Sequence, residues 1–187
     1  VEGVTNMENV NENDAKAKLT DMMYSALIRM SYYHNIASGT NFNLNLSSWD
    51  TSSVTNMSYM FYYAGEVSST WNIGDLSSWD TSNVTSMHYA FAGAGNKATN
   101  FNLGDLSNWD TSSVTEMSTM FAWAGQHSTE FNIGSLASWD TSSVTTMKDM
   151  FKETGYNVTN LSLDLSGWDV SAVTTMENMF QNMGYKS

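Results

Sequence analysis

The sequence predicts an α/β repeat fold, a right-handed solenoid of five strand–helix units behind an N-terminal capping helix. Three observations lead to this fold class. The dipeptide Trp-Asp recurs every 29 or 30 residues, an apolar–polar alternation precedes each copy, and a helical spacing of apolar residues follows each copy. The five copies of Trp-Asp lie at 49–50, 79–80, 109–110, 139–140 and 168–169.

The strand of each unit is predicted from a period of two. Residues 42–46 read Phe-Asn-Leu-Asn-Leu, which is typical of a half-buried strand. Units two to four insert a glycine (Gly74, Gly104, Gly134), which indicates a bulge with positive φ. The asparagine that follows the aromatic residue (Asn43, Asn72, Asn102, Asn132) is expected to pair its amide along the strand ladder. The strands are expected near 42–46, 71–76, 101–106, 131–136 and 161–165.

The helix of each unit is predicted from the residues after Trp-Asp. In unit one the apolar positions fall on one face of a helix, with Ser52 as N-cap and Asp50 adding negative charge at the helix start. Gly65 suits the left-handed position that ends a helix, as do Gly95, Gly125 and Gly155. The apolar positions of unit one are Val54, Met57, Met60, Phe61 and Ala64.

Stacking such units predicts a curved domain. Parallel strands lie about 4.8 Å apart, whereas helices cannot approach closer than roughly 8–10 Å. The expected product is a short horseshoe similar to leucine-rich repeats, with strands on the concave face. Residues 41–187 are predicted to form this five-repeat solenoid, and residues 1–40 are predicted to form an N-terminal cap with a loose start and a helix near 14–33.

Composition and charge exclude several classes of function. The 187-residue chain has a net charge of −12 and only 7 Lys and Arg residues, which are scattered, so no nucleic-acid partner is expected. No run of about 18 apolar residues occurs, so the chain is not expected to insert directly into a membrane. There are no cysteines, which excludes disulfides and thiolate metal sites. Any signal and anchor are expected to lie outside this chain.

The repeat resembles a known family. Phe131-Asn132-Ile133, Trp139-Asp140-Thr141-Ser142-Ser143-Val144-Thr145-Thr146-Met147 and Met150-Phe151 are similar to the BspA-like surface-protein repeat, also called DUF285. The resemblance covers residues 42–187. It implies a bacterial or protist protein that is extracellular or at the cell surface, often a lipoprotein or wall-attached adhesin. The family has no shared catalytic residues that the resemblance would assign to this chain.

No catalytic, cofactor or metal residues are expected. The row of aspartates after each tryptophan would allow Ca²⁺ ligation, but capping of a repeated helix start is the favoured interpretation. The three histidines occupy unrelated positions of the repeat, which argues against a zinc site. A hydrolase would need a mixed polar cluster in a deep pocket, which repetition of one residue type does not build. The chain is therefore predicted not to be an enzyme and to need no cofactor.

Partner-binding residues are sought where the repeats differ. Bulky aromatic residues occupy variable outward positions, and such side chains favour protein and sugar ligands. The favoured function is a cell-surface module that adheres to a protein on a host or neighbouring cell, and the alternative is a carbohydrate- or matrix-binding module. The rival surface is a concave acidic stripe for a cationic partner, formed by Asp75, Asp105 and Asp164. The aromatic candidates are Tyr59, Tyr62, Tyr63, Tyr89 and Trp123.

Overall fold

A computed structural model describes residues 41–43 and 45–186. Its regular elements are strands β1 (Asn41–Asn43), β2 (Thr70–Asn72), β3 (Asn100–Asn102) and β4 (Glu130–Asn132), with one 3₁₀ turn at Leu106–Asn108. Strands β1 and β2 pair in parallel, as do β3 and β4. Equivalent residues of successive repeats face each other, so the repeats stack in register.

The predicted strand–helix units are wrong, because the described part of the chain contains no α-helix. The segment after each Trp-Asp is a series of overlapping turns. In repeat one, the amides of Met60, Tyr62 and Ala64 donate to the carbonyl three residues earlier, whereas a helix would use the carbonyl four residues earlier. The strands are also shorter than predicted, and no strand forms near 161–165.

Alternate amides of the turn segment connect one repeat to the next. Met57 donates to the Ser86 carbonyl at 2.9 Å, and Phe61 donates to the Ala90 carbonyl at 2.7 Å. Four such bonds occur at each of the four junctions between repeats. Isolated parallel bridges from Asn56 through Ser86, Glu116 and Thr146 to Thr175 extend this second ladder through all five repeats.

The close spacing of the repeats explains why turns replace helices. The rings of Phe61 and Phe91 stack with centroids 5.2 Å apart, and Phe91 and Phe121 are 5.5 Å apart. Helices in successive repeats could not pack at this distance. The strand side has a similar spacing, with Phe101 and Phe131 5.0 Å apart. The difference in spacing that predicted a horseshoe therefore does not exist.

Rows of identical side chains build the core. Val54, Met57 and Phe61 are buried, as predicted from their spacing. The tryptophan rings stack in parallel, and the indole nitrogens donate to leucine carbonyls of the preceding repeat. These bonds join Trp79 to Leu46, Trp109 to Leu76, Trp139 to Leu106 and Trp168 to Leu136.

Left-handed backbone recurs at fixed positions of the turn segment. The predicted glycines Gly65, Gly95, Gly125 and Gly155 have positive φ, although they end turns and not helices. Gly184 does the same in repeat five. Among the described residues, nine other than glycine also have positive φ, including Tyr59, Thr119 and Asp149, an unusual conformation for side chains of this size. In seven of them, Asn178 and Asn182 of repeat five excepted, the amide donates a hydrogen bond to a carbonyl of the next repeat.

Core positions are uncovered at the repeat-five end of the described stack. The capping helix predicted near 14–33 lies outside the described residues. In repeat five, Met176 and Phe180 are exposed, whereas the equivalent Met147 and Phe151 are buried under it. Over 41–43 and 45–186, no helix is long and apolar enough to cross a membrane.

Candidate functional site

Four of the five predicted aromatic residues come together on the turn segments of repeats one and two. Tyr59 and Tyr89 stack with ring centroids 5.0 Å apart. Tyr62 lies edge-on to Tyr89 at 5.6 Å and to Tyr63 at 4.6 Å. We call Tyr59, Tyr62, Tyr63 and Tyr89 the tyrosine patch.

The tyrosine patch is only partly covered by the protein. Tyr59 is 41% exposed and Tyr62 is 38% exposed, and Tyr63 and Tyr89 are half-buried. Most large apolar side chains of the described repeats are buried in the core instead. The patch thus combines fixed ring geometry with accessible ring surface, which suits a contact surface.

Gly93 makes room for one ring of the patch. A Cβ atom at Gly93 would lie 2.5 Å from Cδ1 of Tyr63, so the Tyr63 ring lies directly over this glycine. Gly93 occupies the same repeat position as Tyr63 and Trp123, one repeat apart in each direction. A glycine at a position that is bulky in both neighbouring repeats is a sequence signal for this contact, and the sequence analysis missed it.

Two phenols of the patch, those of Tyr62 and Tyr63, resist ionisation. Burial is the largest factor that raises the pKa of Tyr62 above the ordinary 10.0, followed by the nearby phenols of Tyr89 and Tyr59 and the Glu66 carboxylate. Burial also raises the pKa of Tyr63, together with Tyr62, Glu66 and Tyr89. The hydroxyl groups of Tyr62 and Tyr63 therefore stay protonated to a higher pH than that of an ordinary tyrosine.

His88 contacts the tyrosine patch, although it was not among the residues predicted to bind a partner. Its ring lies edge-on to Tyr89 at 4.4 Å and to Tyr59 at 5.4 Å. Its Nδ1 is 2.6 Å from the Ser118 hydroxyl and 3.7 Å from a Glu116 carboxylate oxygen. These contacts fix the ring between the tyrosine patch and repeat three.

Trp123 does not join the tyrosine patch. It is half-buried, and no ring contact with another aromatic residue forms for it within the described residues. It occupies the repeat position of Tyr63, two repeats further along the stack. The sequence placed it in one cluster with the tyrosines, but Gly93 in the intervening repeat contributes no ring.

Charged residues replace the patch in repeat four. Asp149 and Lys152 stand at the positions of Tyr59 and Tyr62, and their side chains form an ion pair of 3.7 Å. Lys148, at the position of His88, pairs with Glu177 at 2.6 Å. The backbone geometry is the same at both places, with positive φ at Tyr59 and at Asp149. The fold therefore does not require aromatic residues at these positions.

The alternative acidic stripe is exposed but already hydrogen-bonded. Asp75 accepts from the Ser77 amide at 2.9 Å, Asp105 accepts from Ser107 at 3.0 Å and Asp164 accepts from Ser166 at 3.0 Å. Hydrogen bonds from Ser166 lower the pKa of Asp164. These aspartates each stabilise a local turn with one carboxylate oxygen. Asp75 and Asp105 also line a groove that Asp164 does not reach.

The aspartates after the tryptophans serve turns and not helices. The predicted N-cap Ser52 instead donates its hydroxyl to Asp50 at 2.6 Å, and its amide donates to the same oxygen at 3.1 Å. The same pair of bonds from Ser112 lowers the pKa of Asp110. Within 41–43 and 45–186, no three His, Cys, Asp or Glu side chains are grouped so as to hold a metal ion.

The predicted asparagine ladder forms in part. The Asn72 amide donates to Asn43 at 2.9 Å, and the Asn132 amide donates to Asn102 at 3.1 Å. Each of Asn72, Asn102 and Asn132 also accepts from the amide of the inserted glycine two residues later. Those glycines have the predicted positive φ but follow the strands and do not interrupt them.

Comparison with known families identifies the repeat. The family described as "Mycoplasma protein of unknown function, DUF285" matches residues 1–95, 37–131 and 95–185. The chain belongs to the DUF285 family. No curated protein and no solved structure matched the chain. For this DUF285 chain, the repeated signatures that carried the resemblance are the residues that stack between repeats: the phenylalanines, the tryptophans and the methionines.

Proposed function

We propose that this DUF285 chain is a non-catalytic binding module of a cell-surface or extracellular protein, and that the tyrosine patch contacts a protein partner. One observation carries the proposal. Repeat four places the Asp149–Lys152 ion pair where repeat one places Tyr59 and Tyr62, with positive φ at both Tyr59 and Asp149. Because the fold accepts charge at these positions, stacking of the repeats does not require the aromatic residues, which leaves them available for a binding role.

The physical properties of the patch support a protein ligand. Tyrosines have large rings with few rotatable bonds and a neutral hydroxyl donor, and they are enriched among residues that dominate protein interfaces. Ring–ring contacts already restrict Tyr59, Tyr62 and Tyr89. Little side-chain entropy is therefore lost when a partner covers them.

The test compares two matched pairs of substitutions. The native chain is immobilised and screened by surface plasmon resonance against purified extracellular proteins. For each protein bound, Tyr59→Ala with Tyr62→Ala is compared with Asp149→Ala with Lys152→Ala, the same two repeat positions in repeat four. We expect the tyrosine pair to weaken binding by about 30-fold or more, equivalent to roughly 2 kcal/mol. We expect the control pair to bind like the native chain.

Two outcomes would contradict this function. One is equal affinity in the two double variants, with unchanged melting temperatures. The other is normal binding by the tyrosine pair while Asp75→Asn with Asp105→Asn abolishes binding, which would favour the acidic stripe and a cationic partner. In that case the affinity should fall steeply with added salt.

A further inference from the structure

A groove with a volume of about 790 Å³ lies on the strand side of the stack, away from the tyrosine patch. It runs over the junction between β2 and β3. Its lining includes Trp71, Asn72, Asp75, Asn102 and Asp105. Its size falls in the range of small-ligand sites, and most of its lining residues are Ser, Thr, Asn or Asp.

The groove coincides with an interruption in the strand ladder. Strands β1 and β2 form one pair and β3 and β4 another, and β2 does not pair with β3. At the β3–β4 junction the Leu103 amide donates to the Asn132 carbonyl at 3.0 Å. The equivalent bond from Ile73 to Asn102 does not form in the described structure. We call this junction the seam.

Trp71 distinguishes the seam from the other junctions. It stands in a row that is phenylalanine at Phe42, Phe101 and Phe131. The Trp71–Phe101 centroid distance across the seam is 5.4 Å, compared with 5.0 Å between Phe101 and Phe131. Trp71 is 7% exposed, and its indole nitrogen has no hydrogen-bond partner in the described structure. The indole nitrogens of Trp79, Trp109, Trp139 and Trp168 all donate to carbonyls, so this unpaired buried donor is a cost found at the seam.

The asparagine ladder breaks at the same place. Asn72 and Asn102 each bond away from the seam, to Asn43 and Asn132 respectively. The Nδ2 group of Asn102 has no acceptor in the described structure. On either side, Asp75 and Asp105 each use one carboxylate oxygen for a turn. The groove therefore presents amide donors between two carboxylates.

We propose that the seam groove binds a glycan. Sugars carry closely spaced hydroxyls that both donate and accept, which matches amide donors flanked by carboxylate acceptors. A cationic peptide fits less well, because two carboxylates stand among a lining that is otherwise neutral. The glycan is the ligand class that the sequence left open, but its site is the strand side and not the aromatic residues. This proposal is independent of the protein partner.

The experiment begins with the native 187-residue chain on an array of neutral and acidic oligosaccharides. The oligosaccharide that binds best is then titrated by calorimetry. Asn102→Ala, and Asp75→Asn with Asp105→Asn, are each expected to weaken binding tenfold or more. Asp164→Asn is the matched control, because it is the equivalent aspartate outside the groove, and it should leave binding unchanged. Trp71→Phe restores the phenylalanine row and should weaken binding without lowering the melting temperature.

Several results would overturn the glycan site. They are the absence of any bound oligosaccharide at millimolar concentration, native affinity in both groove variants, or capture of a lysine-rich peptide alone. Loss of glycan binding in Tyr59→Ala with Tyr62→Ala, but not in the groove variants, would also exclude it. The tyrosine variant should otherwise bind glycan normally, which separates this test from that of the protein-binding function.

Discussion

The indole nitrogen of Trp109 donates a hydrogen bond of 2.9 Å to the Leu76 carbonyl, 33 positions earlier in the chain. Trp109 also stacks on Trp79 and Trp139 at 6.3 and 6.2 Å. One side chain thus connects three repeats, through a hydrogen bond to one of them and ring stacking on both sides.

Replacing this residue should destabilise the stack. Trp109 is 3% exposed, so Trp109→Ala should cost roughly 3–5 kcal/mol through the cavity and the lost stacking. Trp109→Phe keeps a ring but removes the indole hydrogen bond. The Leu76 carbonyl still accepts from the Trp79 amide at 3.1 Å, so losing this bond should cost only roughly 0.5–1.5 kcal/mol. Chemical denaturation measures both values. Trp123→Ala is the control, because this half-buried residue makes no such contacts in the described structure. A cost for Trp109→Ala no larger than that of the control would show that the prediction is wrong.

Gly93→Asn should displace Tyr63 from the patch. Asparagine tolerates the left-handed backbone of Gly93 better than other side chains do, so the main effect is the steric clash of its Cβ with the Tyr63 ring. We expect changed near-ultraviolet circular dichroism and weaker binding to any partner of the patch. A Tyr63→Ala background should abolish both effects. If the spectral change persists there, the contact between Gly93 and Tyr63 is not its cause.

Stability at acidic pH should depend on the turns closed by aspartates. Hydrogen bonds from the Ser112 hydroxyl and amide lower the pKa of Asp110 below 3.8. The stabilisation is therefore present above the unfolded pKa and is lost as the pH falls through the lower folded pKa. Asp110→Asn keeps an acceptor oxygen but cannot titrate. It should resemble the native chain at neutral pH and lose less stability on acidification, as measured by urea unfolding between pH 2 and pH 7. If Asp110→Asn loses the same stability on acidification as the native chain, the Asp110 carboxylate does not contribute to acid sensitivity.

Stability at alkaline pH should depend on the tyrosine patch. The raised pKa values of Tyr62 and Tyr63 mean that the folded state holds these protons more tightly than the unfolded state does. The stabilisation is complete below the ordinary pKa of 10.0 and declines as the pH rises through the folded values. Tyr62→Phe with Tyr63→Phe should lose less stability than the native chain above that pH. If the double variant and the native chain lose equal stability and their absorbance titrations at 295 nm agree, the raised pKa values of Tyr62 and Tyr63 do not contribute to stability.

The positions that are buried could be predicted from the sequence, but the backbone that buries them could not. The spacing of Val54, Met57, Met60 and Phe61 correctly indicated a buried face. The same spacing suits a helix and a series of overlapping turns, because both return side chains to one side every three or four residues. Hydrogen bonds to the next repeat distinguish the two, and these depend on contacts about 30 positions away.

The candidate binding surfaces could also be predicted only in part from the sequence. Variation between repeats was enough to select Tyr59, Tyr62, Tyr63 and Tyr89, because positions that differ between copies are not needed for stacking. Only the structure separated Trp123 from them and added His88. The seam at Trp71 could not be predicted from the sequence. A tryptophan in a row of phenylalanines affects the pairing of strands β2 and β3 only when the repeats are stacked.

The sequence by itself determined the repeat, its register, its buried rows and its family, because each of these is written in the identity and spacing of residues. The tertiary structure decided between helix and turn, and it decided which variable side chains meet. The physical reason is the distance between repeats. At ring spacings of 5.0–5.8 Å along the phenylalanine rows, backbone hydrogen bonds between repeats replace those within a helix, and no local pattern encodes that distance.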